Sequence, residues 1–359
     1  MTLHIGLVGP LPPPYGGMAN QASQLYQLLQ KEAGIQVSFV QTNAPYTNEL
    51  IGKIKGVRAL FRLFSYVIKI IKMTGQVDVI HVLANSGWSW QLFAAPVIWI
   101  AWLSKTPVII NYRGGEARTY FDKSIKWVAP SMRKATSIIV PSGYLKQVFS
   151  EFNFTTQVIP NIINLERFKP IKNKIINDKE PHLIIPRNLE PIYGIATAIK
   201  AMSIVKKSIP GLKLSIAGSG PQKEELKALV EELELEKNIY FTGKLQPDEV
   251  ASLYQEADIM LNPTTVDNMP NSVLEAMASG VAVVSTNVGG IPYIVEDNKT
   301  ALLVDVNNAE AMAEKIMKLL NDKPLHTNLL NNGLAEVQQY AWSYVRKQWI
   351  DLYQACIAK

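Results

Sequence analysis

A chain of 359 residues is too long for one ordinary core and suits two domains, and at 48 % hydrophobic each half can bury one. The single Cys356 excludes an internal disulfide and fits a reducing compartment. The net charge of +6 is unevenly shared: residues 1–165 carry 15 Lys and Arg against 6 Asp and Glu, or +9, and residues 166–359 carry 21 against 24, or −3.

Along the chain, MTLHIGLVGP reads as a first strand and not as a signal peptide, because it has no basic n-region and no small-residue cleavage site. Gly16 and Gly17 follow that strand and a Pro-rich turn, and they precede a helix around Ala19 to Leu29. Absent side chains let backbone approach a diphosphate closely, although a plain tight turn explains the pair as well. The next segment, KIKGVRALFRLFSYVIKIIK, holds no acid. On a helix at about 100° per residue, Lys55, Arg58, Arg62, Lys69 and Lys72 share one arc of roughly 100°, and most of the remaining circumference is apolar. This pattern suits a helix lying on an anionic membrane surface, and equally a buried helix with one solvated basic edge. The apolar run Leu92 to Leu103 contains Pro96 and is too short to span a bilayer.

Short apolar strands are expected near Ile5, Val37, Val79, Val108 and Ile138, then near Leu183, Leu214, Ile239, Ile259, Val283 and Leu302. Amphipathic stretches such as 221–236 and 309–321 alternate with them. That alternation predicts α/β architecture with parallel sheets: two Rossmann-like domains facing a central cleft, with ligands at the carboxyl ends of the strands. The expected domains are 1–165 and 166–339, with a linker around Asn161 to Asp178. His81, in DVIHVL, alternates with Val and reads as a packed strand residue.

The most informative stretch is NPTTVDNMPNSVLEAMASGVAVVSTNVGG, Asn262 to Gly290, with Asp267 and Glu275 eight apart. A polar loop leads into a helix that Asn271 or Ser272 can cap, and Gly280 ends it. Free N–H groups at a helix start favour phosphate. Glu275, about one turn inside, can accept two ribose hydroxyls, and Asp267 can accept hydroxyls of a sugar beyond the phosphates. On their own the two acids fit a turn and a solvated helix position equally well. Arg187, after HLIIP, can clamp a diphosphate with two parallel hydrogen bonds or pair with Glu190 at the surface.

The segment from Asn262 resembles the E-x7-E signature of the retaining glycosyltransferases of family 4, which have the GT-B fold; here Asp replaces the first Glu. SIAGSGPQKEELKALVEELELEKNIYFTGKLQPDEVASLYQEADIMLNP and RNLEPIYGIATAIKAM resemble the same family's C-terminal domain, and GLVGPLPPPYGGMANQASQL its N-terminal glycine-rich loop. The resemblance covers nearly the whole chain and is strongest over 182–320. It implies a donor site in which Gly16 and Gly17 border the phosphates, Gly218 lies near the donor, and the backbone of Lys244 or Leu245 meets the nucleobase. Asn268, Met269, Asn271, Ser272 and Glu275 follow the first carboxylate in that site. It also implies that the aromatic-rich helix 340–359 crosses back onto the N-terminal domain. Three departures stand out. Tyr193 occupies the position of a Lys that precedes a Gly, here Gly194. Arg113, in PVIINYRGG, stands where a His often lies, and Asn268-Met269-Pro270 replaces Gly-Phe-Gly. Tyr193 brings no positive charge, and Arg113 is the expected substitute.

What the resemblance implies is transfer of a sugar, with retention, from a nucleoside-diphosphate sugar (UDP-linked) to a saccharide or lipid-linked saccharide acceptor. Asp267, Arg187 and Arg113 are the expected catalytic set. The four His and one Cys are scattered and no DxD-type site appears, so no metal or other cofactor is expected. Nucleic acid is a poor partner, because the basic residues lack an aromatic platform. The expected location is cytoplasmic, peripheral on the inner face of the membrane. A non-catalytic nucleotide-sugar-binding protein is the alternative, and an epimerase would favour His and carboxylate acid–base groups absent from the motifs above.

Overall fold

The computed structural model describes residues 2–44, 57–171, 177 and 179–358. The short Val, Ile and Leu runs form parallel strands, because helices cover the sheets on both faces. In the first half these are β1 (Leu3–Gly9), β2 (Ile35–Gln41), β3 (Val79–Ala84), β4 (Val108–Tyr112), β5 (Ser137–Val140) and β6 (Gln157–Val158), in the order β2-β1-β3-β4-β5-β6. The sequence reading lacked β6, whose two residues are too few for an apolar pattern. Between the strands run α1 (Gly17–Gln30), α2 (Val57–Thr74), α3 (Ala95–Leu103), α4 (Ala117–Met132) and α5 (Gly143–Glu151).

The second half repeats the theme with β7 (His182–Ile185), β8 (Lys213–Ala217), β9 (Ile239–Gly243), β10 (Ile259–Asn262), β11 (Ala282–Thr286) and β12 (Leu302–Val304). Their order is β12-β11-β10-β7-β8-β9. Its helices are α6 (Ile195–Val205), α7 (Lys223–Glu232), α8 (Pro247–Glu256), α9 (Asn271–Ala278), α10 (Ala309–Asn321) and α11 (Lys323–Glu336), followed by α12 (Trp342–Ile357). From β7 the chain first adds strands on one side, then returns to place β10 on the other. The β7/β10 boundary is therefore the topological switch point, the place where open α/β sheets bind ligands.

The chain divides into two compact units, Met1–Ile162 with Trp342–Lys359, and Ile163–Ala341. In the first, α2 to α5 cover one sheet face, and α1 and α12 the other. Trp349 of α12 stacks on His81 at 4.7 Å, and the Tyr353 hydroxyl lies 2.8 Å from His81 Nδ1. Asn111 Nδ2 lies 2.9 Å from His81 Nε2. Burial, with the Arg113 charge beside it, lowers the His81 pKa to about 3, so the ring is neutral. As oriented, the Asn111 amide donates to Nε2, which leaves the ring proton on Nδ1, facing Tyr353.

Two loops of the second unit approach so closely that only glycine fits. A Cβ on Gly290 would sit 1.5 Å from the Asn268 carbonyl oxygen, and one on Gly218 would sit 2.1 Å from that of Arg187. Gly290 also donates its N–H to the Asp267 carbonyl at 3.0 Å. Gly290→Ala should thus destabilise the protein by more than about 2 kcal/mol, since backbone must move. Gly16 is extended (φ −174°) with nothing within 4 Å of a built Cβ. Gly16→Ala should therefore leave stability unchanged within about 0.5 kcal/mol. Urea unfolding of both variants checks the contrast.

Candidate functional site

The expected donor-side residues of the second unit follow the carboxyl ends of four adjacent strands. Lys244 and Leu245 follow β9, Gly218 follows β8, Arg187 and Tyr193 follow β7, and Asp267 to Glu275 follow β10. The loops after β7 and β10 are tied together, with Thr265 N–H donating to the Ile192 carbonyl at 2.8 Å and the Thr264 hydroxyl at 2.9 Å.

At the switch point the Arg187 guanidinium pairs with Asp267 Oδ2, and their side chains are only 12 % and 14 % exposed. Among the described residues its ion-pair partner is Asp267, not Glu190. The guanidinium also lies over the Tyr193 ring, 4.3 Å from its centroid. Arg187 Nε is buried with no hydrogen-bond partner among the described residues. Burial lowers the Arg187 pKa from its ordinary value, opposed by Tyr193, Tyr254 and Glu275. Asp267 Oδ1 accepts the Asn268 N–H at 2.8 Å, which fixes the carboxylate over its own loop.

The start of α9 differs from the sequence expectation. Asn271 and Ser272 are its first two residues and do not cap it; the preceding position is Pro270, and no side-chain cap forms. Ser272 Oγ is buried without a partner among the described residues. Asn268 and Met269 are buried too, and Met269 packs into the core with Val273 and Leu274. Gly280, at φ +66°, ends the helix.

Glu275 is half-buried, one turn into α9, and not solvated. Tyr254 of α8 donates to its Oε2 at 3.0 Å, and the same hydroxyl lies 3.0 Å from the Ser272 carbonyl oxygen. Burial pushes the Glu275 carboxyl up to about 7, against the Tyr254 hydrogen bond and the Arg187 and Arg167 charges. Burial and Glu275 together hold the Tyr254 phenol well above its usual range. Sequence reading missed Tyr254, which looks there like one more apolar-face residue of an amphipathic helix.

In the first unit, Gly16 and Gly17 stand at the start of α1, after β1. Arg113 follows β4 and is held by neutral groups: its Nε donates to Asn111 Oδ1 at 3.2 Å and its NH1 to Asn161 Oδ1. Burial lowers its pKa to about 10, so it stays cationic at neutral pH. Of the expected basic arc, Lys55 and the side chain of Arg58 lie outside the described residues. Arg62 donates to the Thr42 carbonyl at 2.7 Å, and Lys69 and Lys72 are exposed. Among the described residues no three His, Cys, Asp or Glu gather as metal ligands, and no helix is long and apolar enough to cross a membrane.

Two family models match the chain in succession. "Glycosyltransferase Family 4" covers residues 15–167 and "Glycosyl transferases group 1" residues 166–335. The chain is similar to D-inositol 3-phosphate glycosyltransferase of Corynebacterium glutamicum, 31 % identical over 176 residues, 47 % of this chain and 42 % of that protein. It is also similar to alpha-monoglucosyldiacylglycerol synthase of Streptococcus pneumoniae, 27 % identical over 79 % of this chain and 70 % of that one. The chain spans about half the length of several curated relatives that it matches, at 42 % and 49 % for two of them. In fold it is similar to the Anabaena protein HepE, solved with UDP, at a TM-score of 0.78 and 16 % identity over 98 % of this chain and 100 % of that one.

The titration of Glu275 has a sign that can be checked. Its carboxyl moves from an ordinary 4.5 to about 7 in the fold. Between those values the folded state binds the extra proton, so stability falls as pH rises through that window and stays lower above it. Glu275→Gln keeps an acceptor for Tyr254 without the buried charge. It should be about 1–3 kcal/mol more stable than wild type at pH 8, with the gain vanishing near pH 5. Denaturant melts at the two pH values measure this.

Proposed function

The chain belongs to glycosyltransferase family 4 and has the GT-B fold, and on that footing we propose that it transfers a sugar from a nucleoside-diphosphate sugar, with retention at the anomeric carbon. The acceptor is a saccharide or a lipid-linked saccharide. The observation that carries this reading is the Arg187–Asp267–Tyr193 group at the switch point, beside an uncapped helix start with Glu275 one turn in.

Each group has a part. The Arg187 guanidinium and the start of α9 bind the diphosphate, whose negative charge grows as the sugar leaves. Tyr193 holds the guanidinium plane but adds no charge of its own. Asp267, fixed by Arg187 and Asn268, accepts sugar hydroxyls. Glu275, as carboxylate, accepts the ribose hydroxyls. The bond from the anomeric carbon to the diphosphate oxygen breaks and the acceptor oxygen bonds to that carbon on the same face. The acceptor proton passes to the leaving diphosphate. Arg113, whose charge is met by two neutral amides, supplies the second cation. No divalent metal takes part in this reading. UDP is the favoured nucleotide, and its support is the UDP named with HepE. The favoured location is the cytoplasmic side of a membrane that carries the acceptor.

The direct test is a thermal-shift panel of UDP, GDP, ADP and their sugars, run in EDTA. UDP-sugar should raise the melting point, the shift should grow as pH rises through about 7, and Arg187→Ala should abolish it. The same shift without released nucleoside diphosphate would support the non-catalytic alternative, and no shift with any compound would sink the donor site. Arg113→Ala should lower kcat by about 10²-fold with donor affinity little changed, and unaltered turnover would remove Arg113 from the mechanism.

A further inference from the structure

The helices α2 and α3 lie side by side on one face of the first sheet. Tyr66, Ile70 and Met73 of α2 enter the same core as Val97, Ile98 and Ala101 of α3. The Tyr66 hydroxyl donates to the Phe93 carbonyl at 2.9 Å, and the Tyr66 and Phe93 rings meet edge to face at 5.5 Å. With their inner sides committed to the core, the outer sides of both helices form one surface. A surface layer of this kind is ordinarily polar.

This one is apolar. On α2, Phe64 is 66 % exposed and Ile71 55 %, with Ile68 between them. On α3, Leu103 is 72 % exposed and Trp102 46 %, and Trp99 meets Trp102 edge to face at 5.7 Å. Single exposed apolar residues are ordinary; a contiguous set on neighbouring helices marks a contact surface. The basic residues are placed around it. Lys69 and Lys72 stand exposed among the apolar residues of α2, Lys105 lies two residues past the end of α3, and Lys134 Nζ lies 4.1 Å from the Trp102 ring centre. Between residues 57 and 115 the sole acid is Asp78. It lies outside both helices and is engaged by the His4 N–H at 2.7 Å.

We infer that the outer face of α2 and α3 docks in the headgroup layer of an anionic bilayer, with Trp99, Trp102 and Leu103 inserted and the lysines on lipid phosphates. Indole and lysine share this habitat because each has an apolar body and a polar end. Charge decides against a second copy of the chain. Two-fold packing on this face would bring lysines, beside two helices that hold no acid, against their duplicates. The inference stands on exposure and charge alone and does not depend on the reaction proposed above.

Vesicle sedimentation tests it, with phosphatidylcholine alone and with about 30 % phosphatidylglycerol added. The protein should pellet with the anionic vesicles and be released by salt. Combined Trp99→Ser, Trp102→Ser and Leu103→Ser should reduce that partitioning at least about tenfold. Lys69→Glu with Lys72→Glu should remove the preference for anionic lipid. Brominated lipid should quench wild-type tryptophan emission, a readout that needs no variant to fold. Equal or absent binding to both vesicle types, full binding by the triple variant, or no quenching would each overturn the inference. So would a dimer that the triple variant disrupts while vesicles go unbound.

Discussion

The ion pair between Arg187 and Asp267 is the contact around which the second unit's site is arranged. Both groups are nearly buried, and two charges taken out of water hold together only when each keeps its partner. The pair spans the two strands at the switch point and so fixes the gap between the loops that follow them. Tyr193 adds a face for the guanidinium to lie on, and the Asn268 N–H adds a donor for the carboxylate. Glycines at 218 and 290 let the neighbouring loops press onto the backbones of Arg187 and Asn268. The pair is thus held in place from behind by main chain, with little freedom left to the side chains.

Around this pair, several local rules of stability are broken at one place. Helix α9 opens behind a proline with no side-chain cap, Ser272 Oγ and Arg187 Nε are buried without partners among the described residues, and Glu275 is held near its titration point. Each costs stability, and such costs are tolerated where groups are arranged for something other than the fold.

The first unit follows a different logic. Its polar interior is a closed chain from Tyr353 through His81 and Asn111 to Arg113 and Asn161, and burial keeps the imidazole neutral. That chain joins α12, the last helix, to the end of β4, so the chain terminus supports a cation that lies far from it in sequence. Its unusual feature is on the outside, where the α2–α3 layer leaves indoles and isoleucines exposed among lysines.

The sequence by itself determined the elements. Apolar runs and helical periods mark eleven of the twelve strands of both sheets, because burial on two faces demands that pattern locally. The Asp267 and Glu275 spacing and the position of Arg187 after a strand were legible for the same reason. The tertiary structure alone decided what those residues touch. Arg187 meets Asp267 eighty residues on, and Tyr254 meets Glu275, because the strand order brings β7 beside β10 and α8 beside α9. Likewise, a helical wheel places lysines and isoleucines on α2 but does not say which arc meets the sheet. That choice belongs to packing, and it turned Arg62 to a backbone carbonyl and Phe64 to the outside.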